Sequence, residues 1–266
     1  MHEILAALER GQRVLDLGSG EAGSFDPSAT RAQTVRADIA APPERGAPAF
    51  VAADAGALPF ASRSFALVVC NNSLEHFADP GRALAEISRV LEEEGTLFVT
   101  APDAGALADR LYRWLARGGG HVNRFYSPGD VISLVRPATG LECKASKTLF
   151  ASFSFLHPRN RGARPPRRLW LLGMPGARAL RLATYLFRLC DRAFGTRLSV
   201  YGWAFYFGAL PVAADTRPCP NVCICCGAGR PSRQLREDGA LLRGCRPPAY
   251  KCPACGCRNL YTEDCS

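Results

Sequence analysis

The segment from Val14 to Pro102 constrains the fold more than any other part of the chain. Apolar strands, a glycine turn and acidic strand ends follow one another there in the order of a nucleotide-binding α/β sheet. Val14-Leu15-Asp16-Leu17 reads as a parallel strand buried on both faces, and Gly18-Ser19-Gly20 closes it in a turn whose glycines let backbone N–H groups approach a ligand. A Gly-x-Gly turn alone is also an ordinary tight turn, so a second feature decides. Asp38, with Ile39 beside it, ends another apolar run about 20 residues on, where a carboxylate can accept both hydroxyl protons of a ribose. Further strands are expected at Phe50–Ala53, Phe65–Cys70 and Leu97–Thr100. A helix is expected over Arg82–Leu91, with Gly95 ending it.

Asp54-Ala55, Leu58-Pro59-Phe60, Ser64-Phe65, Leu74-Glu75-His76, Asp79-Pro80 and Arg89-Val90-Leu91 then occur in order. Together they resemble the successive motifs of class I S-adenosylmethionine-dependent methyltransferases of the type 11 kind, over roughly residues 10 to 145. The resemblance implies an α/β fold, a doubly wound Rossmann-like sheet, with S-adenosylmethionine as cofactor. It places Asp16, Gly18 and Gly20 around the methionine portion, Asp38 and Ile39 at the ribose, and Asp54 and Ala55 at the adenine amino group. Asn71 and Ser73 stand at the carboxyl end of the fourth strand, where ligands of such sheets collect, although both are also ordinary turn residues. Ala22 replaces the third glycine of the usual pattern, and Pro27 interrupts the first crossover, so the helix there is expected to be short or irregular.

Methyl transfer from a sulfonium is an in-line displacement, so positioning and removal of an acceptor proton are the main work left to side chains. His76 and His121 are the catalytic candidates, because an imidazole can serve as base near neutral pH. His76 can equally pack and orient its loop. His121 follows Gly118-Gly119-Gly120 and precedes Phe125-Tyr126-Ser127-Pro128, a stretch that could close over the cofactor. No Asn-Pro-Pro-Tyr or Asp-Pro-Pro-Tyr element follows the fourth strand, which disfavours adenine N6 methylation. Cys70 lies inside an apolar strand without a preceding proline and reads as a small core residue.

With 266 residues, 47% of them hydrophobic, the chain can bury one α/β core and leave about 100 residues for smaller modules. Three cysteines precede residue 200 and nine follow it. Met1 to Gln12 reads as neither signal peptide nor membrane anchor, so a cytoplasmic enzyme with reduced thiols is expected. Cys223-x-x-Cys226-Gly227 and Cys252-Pro-Ala-Cys255-Gly256, separated by 25 residues, are two knuckles able to present four thiolates tetrahedrally to zinc. Cys219, Cys225, Cys245, Cys257 and Cys265 leave the ligand choice open, and disulfides are the rival reading.

Between Arg159 and Arg197 ten arginines face one acid, Asp191, a surplus equal to the +9 net charge of the chain. On a helical wheel Arg178, Arg181, Arg188 and Arg192 fall within about 80°, with Leu182, Leu186, Leu189, Cys190 and Phe194 on the other side. Such a helix can pack on the core as a solvated face, lie on a membrane surface, or face RNA. Leu169–Leu172 and Tyr201–Phe207 carry amphipathic aromatics suited to an interface, or core strands.

The sequence therefore predicts a methyltransferase domain over residues 1–150, a basic amphipathic extension over 151–213 and a small zinc ribbon over 214–266. The expected acceptor is a small molecule, a sugar or a lipid-linked compound, with peripheral contact at the inner membrane face. An RNA methyltransferase and a non-catalytic cofactor-binding scaffold are the alternatives, and the oligomeric state is left open.

Overall fold

In a computed structural model the described residues are 1–20, 23–40, 49–115, 120–160, 168 and 176–263. The expectations on Ala22, Gly118, Gly119, Leu169–Leu172 and Cys265 lie outside them, as do Arg161, Arg164 and Arg167. The chain divides into two compact units. The first joins Met1–Pro102, His121–Lys147 and Trp203–Thr216; the second joins Asp103–Gly120, Thr148–Gly202 and Arg217–Ser266. The linear division at 150 and 213 thus differs from these units, because strand pairing carries Trp203–Thr216 back into the first.

A seven-stranded sheet lies mostly within the first unit. Its strands are β1 (Arg13–Leu17), β2 (Gln33–Asp38), β3 (Phe50–Ala52), β4 (Phe65–Asn71), β5 (Leu91–Pro102), β6 (Cys143–Phe150) and β7 (Val200–Gly208), in the order β3-β2-β1-β4-β5-β7-β6. The pairs β1–β2, β2–β3, β1–β4 and β4–β5 are parallel. The unbroken apolar run of β4 is buried throughout from Phe65 to Cys70, as a central parallel strand must be when both faces are covered. Cys70 belongs to this core, and burial pushes its thiol well above the ordinary range.

Two short α-helices precede and follow the centre of the sheet, α1 (His2–Ala7) and α2 (Pro80–Val90). Helix α2 starts where Asp79 accepts the Arg82 N–H at 3.0 Å with Pro80 in the first turn, and it buries Ala83, Leu84, Ile87 and Val90. The helix stops at Val90, and Gly95 lies within β5, so strand pairing with β4 overrides the expected glycine stop. Helix α4 (Pro128–Thr139) is held by a Ser127–Asp130 capping box and packs against α2. Among the described residues between β1 and β2 the crossover holds only a 3-10 turn, Pro27–Ala29, capped by Asp26, in keeping with the break expected at Pro27. Tyr201–Phe207 is not an interface segment: Trp203, Phe205 and Phe207 enter the core of the first unit with Leu15, Val68 and Val99.

The second unit contains α3 (Leu107–Leu115), α5 (Ala177–Phe194) and α6 (Ser232–Glu237). Its carboxyl-terminal part has an antiparallel pair, β8 (Asn221–Val222) with β9 (Gly229–Arg230). Beside it stands a three-stranded antiparallel sheet, β10 (Leu241–Leu242), β11 (Ala249–Lys251) and β12 (Arg258–Leu260). Helix α5 presents the side opposite to the expected one. Leu180, Thr184 and Arg188 are buried, whereas Leu182, Leu186 and Leu189 face outward. The inward Arg188 is held by two carbonyls, its Nη1 donating to Pro220 O at 2.9 Å and its Nη2 to Leu260 O at 2.7 Å, while its buried Nε has no hydrogen-bond partner among the described residues.

Candidate functional site

The parallel register sets the carboxyl ends of β1, β2 and β4 side by side, since Leu17 pairs with Ala37 and Asp16 with Val69. The turn after β1 is tied back to β2, with the Gly18 and Ser19 N–H groups donating to Ala37 O at 2.8 and 3.3 Å. Gly18 and Gly20 have φ of +71° and +54°, the left-handed region that favours glycine. Asp38 Oδ2 accepts the Gly20 N–H at 2.8 Å and its Oδ1 accepts the Ala40 N–H at 3.2 Å. Ser73 braces the same turn from β4, donating its buried hydroxyl to Leu17 O at 3.1 Å.

Beneath the turn lies a pair that the sequence reading did not select. Asp16 and Arg36 are register partners on adjacent strands and both are buried. Arg36 Nη2 donates to Gly20 O at 2.7 Å, and Asp16 Oδ2 accepts the Ser24 N–H at 2.8 Å. Asp16 Oδ1 is buried with no hydrogen-bond partner among the described residues, and burial pushes its carboxyl above the usual range. The available signal was an arginine inside the otherwise apolar Val35–Ala37 run.

Asp54 stands exposed after β3, accepting the Gly56 N–H at 2.9 Å, with Ala55 buried behind it. Its loop is held by Arg89, whose guanidinium donates to Leu58 O and Phe60 O at 2.9 and 2.7 Å while pairing with Glu86. Ile39 is 80% exposed beside Asp38. Asn71 Oδ1 accepts the Thr100 hydroxyl at 2.8 Å. Asp16, Gly18, Gly20, Asp38, Asn71 and Ser73 therefore converge on one turn, whereas Asp54 and Ala55 stand one strand farther out, past β2.

His76 and His121 are brought together although 45 residues apart, their rings edge to face at 4.9 Å between centroids. The Val122 and Asn123 N–H groups donate to Glu75 O, and Asn123 Nδ2 donates to Leu74 O and Phe77 O, so the two loops are stitched together. Glu75, which the sequence reading quoted only as part of a motif, has a fully buried side chain. His121 Nε2 lies 3.9 Å from its Oε1. One carboxylate and two imidazoles, with ligating atoms within 4.8 Å of one another, can orient a base or shuttle a proton.

Residues 11–99 match the family described as methyltransferase domain. Residues 11–99 are a methyltransferase domain. A demethylmenaquinone methyltransferase of Renibacterium salmoninarum is 38% identical over 96 residues, covering 34% of this chain and 40% of that protein, so the chain spans about two fifths of that relative's length. Two solved structures share the fold at low identity. BH2331 of Bacillus halodurans, described as a methyltransferase, gives a TM-score of 0.50 at 19% identity over 80% of this chain and 97% of its own. A protein described as a methyltransferase of an antibiotic biosynthesis pathway, from Anabaena variabilis, gives 0.50 at 16% identity over 77% and 94%. The methyltransferase-domain match ends at residue 99, so His121 comes from chain beyond it.

Outside the methyltransferase domain, Cys223, Cys226, Cys252 and Cys255 form one cluster. Their sulfurs stand 3.6 Å apart for Cys223 and Cys255 and 3.7 Å for Cys226 and Cys252. A tetrahedron of zinc–sulfur bonds has edges of about 3.8 Å, and a disulfide is about 2.0 Å, so the spacing fits a metal and not a covalent pair. Gly227 and Gly256, with φ of +77° and +70°, turn each knuckle. The Asn259 amide and the Cys225 N–H donate to Cys223 Sγ, at 3.5 and 3.4 Å. Burial pushes the Cys226 and Cys252 thiols up; at Cys255 burial is outweighed by donation from the Cys257 backbone and the neighbouring thiols, and its pKa falls to about 7. His157, Cys225 and Cys257 gather beside this set. His157 Nδ1 accepts the Arg159 N–H at 3.2 Å.

Proposed function

We propose that this chain transfers the methyl group of S-adenosylmethionine to a small-molecule acceptor. The observation that carries the reading is the braced turn, in which Asp38 accepts the Gly20 N–H and Ser73 leaves room only for glycine at position 18. In the ligand-bound state Asp16, Gly18 and Gly20 would hold the methionine portion, Asp38 and Ile39 the ribose, Asp54 and Ala55 the adenine, with Asn71 along the way. The buried, unsatisfied Asp16 Oδ1 supports this fit, because such an atom asks for a donor. The cofactor supplies an activated methyl group on sulfur. His76 or His121 takes the acceptor proton, and Glu75 positions the His121 ring. The relative that acts on demethylmenaquinone supports a small-molecule acceptor, and a lipid-linked one is the favoured subclass.

The four-cysteine cluster holds zinc in this reading. A closed thiolate set leaves no position for water, so the metal stabilises the tail and takes no part in methyl transfer. The RNA alternative is weakened at α5, where Arg188 is spent on two backbone carbonyls and not offered to phosphate.

Calorimetric titration of the zinc-loaded chain with S-adenosylmethionine and S-adenosylhomocysteine tests the reading. Micromolar binding that falls at least tenfold in Asp38→Ala supports it, and an acceptor screen in membrane extracts then follows. Failure of the wild type to bind either compound would leave a scaffold without the activity.

A further inference from the structure

We propose that helix α5 lays its outward face on an anionic lipid surface. The inward side of this 18-residue helix is accounted for: Leu180 and Phe187 join the cluster of Ala108, Phe153 and Leu156, and Arg188 is bonded to carbonyls. The opposite side carries Leu182, Leu186 and Leu189, exposed by 51%, 47% and 36%, with Phe194 at 79% beyond them. Spacings of four and three residues put the leucines in one row along the helix, and exposed Ala179 and Ala193 extend it at both ends. A row of this kind in water is the exception among surface residues.

The charges decide what covers it. Exposed Arg178 and Arg192 border the leucine row on one side, with Arg181 lower on the same flank. The helix has a single acid, Asp191, and its carboxylate is turned away into the following loop, where it accepts from Thr196, Leu198 and Ser199. An apolar stripe whose charged border is arginine alone, on one flank, matches the acyl boundary and the phosphates of an anionic bilayer at once. A second copy of the same face fits poorly, because a two-fold antiparallel pairing sets Arg178 of each copy against Arg192 of the other. The contact is one of lying on the surface. No helix among the described residues is long and apolar enough to cross a membrane, and α5 keeps Arg188 on its inner side.

This surface goes beyond the proposed reaction and does not depend on it, so it is tested without cofactor or acceptor. The full zinc-loaded chain is sedimented with vesicles of phosphatidylcholine alone or mixed with phosphatidylglycerol, at low and high salt. Expected are binding to the mixed vesicles, weak binding to the neutral ones and loss with salt. Leu182→Asp with Leu186→Asp should reduce binding at least tenfold while leaving the melting curve in place, since both side chains already face solvent. Arg178→Glu with Arg192→Glu should abolish the preference for phosphatidylglycerol. A wild type that stays in the supernatant with mixed vesicles, or a leucine variant that sediments like the wild type, overturns the proposal. A lipid-free dimer that the leucine variant converts to monomer would assign the stripe to self-contact and overturn it as well.

Discussion

A Cβ placed on Gly18 would lie 2.7 Å from Ser73 Cβ and closer still to its hydroxyl, so the turn after β1 and the end of β4 share space that only a glycine leaves open. Gly18 also sits at φ +71°. Gly18→Ala should therefore cost about 2 kcal/mol of stability by urea unfolding, from backbone strain plus the displaced serine. It should also weaken S-adenosylmethionine binding more than tenfold. Adding Ser73→Ala should restore the part due to the clash and not the part due to φ. Single-variant stability equal to wild type would contradict the braced turn.

Glu75 is fully buried, with its Oε1 3.9 Å from His121 Nε2, and in the proposed reaction it orients that ring. Glu75→Gln keeps the shape and replaces the carboxyl by an amide. With an acceptor in hand, kcat should fall about a hundredfold, within the range ascribed to general acid–base groups. The cofactor titration should stay within a few-fold of wild type and the pH profile of kcat should shift. A purely structural role would lower stability and leave the profile in place.

The four-cysteine cluster predicts one tightly held zinc per chain for this set. Cys226→Ser or Cys252→Ser should release it in a metal assay, and chelation should make the tail from Arg217 onward sensitive to protease, because thiolate binding is coupled to folding. Release should be easier at acid pH, where protons compete for the sulfurs. An equally protease-resistant tail after complete metal removal would show that the hydrophobic cluster of Leu235, Tyr250 and Tyr261 suffices alone.

Arg188→Met should destabilise the second unit by about 1–3 kcal/mol, because the buried guanidinium's hydrogen bonds to Pro220 O and Leu260 O are lost, although Pro220 O keeps the Val222 N–H. Leu182→Ser, one and a half turns away and facing out, should change stability by less than about 0.5 kcal/mol. Thermal melts of the two variants decide this. Similar losses in both would mean that the leucine row is packed.

Asp191 is held below the usual carboxylate range: burial opposes the charge, but donation from the Ser199 and Thr196 hydroxyls and the Ser199 and Leu198 N–H groups outweighs it. A carboxylate lowered on folding adds stability that is present above its unfolded value of 3.8 and is lost as pH falls through the folded value. Asp191→Asn should cost about 1–2 kcal/mol at neutral pH and make the stability curve flatter below about pH 4. An unchanged acid limb in the variant would place the acid sensitivity elsewhere.

Local pattern made much of this protein legible from its sequence. The unbroken apolar run of β4 could only be a strand covered on both faces, Asp79-Pro80 marked the start of α2, and Pro27 marked a crossover without a full helix. The glycine turn and Asp38 were legible for the same reason, since each needs a particular backbone freedom or a carboxylate at a strand end. Gly95 misled because the chain leaves the helix at Leu91 to pair with Phe65 of β4, four residues before the glycine.

What sequence alone could not decide was non-local. The wheel of α5 separated arginines from leucines correctly, yet which side is buried depends on what the helix meets, and Arg188 turns inward onto two carbonyls while the leucines are left outside. Glu75, His76 and His121 become one cluster only when the loop carrying Val122 and Asn123 bonds to the end of β4. The Asp16–Arg36 pair exists only through strand register. The residues from Arg13 to Pro102 carry their own periodicity and turn chemistry, and so determined the five parallel strands β1 to β5. Partners far apart in the chain have no local signature, because their energy arises only on contact, and so only the tertiary structure decided the faces and the cluster.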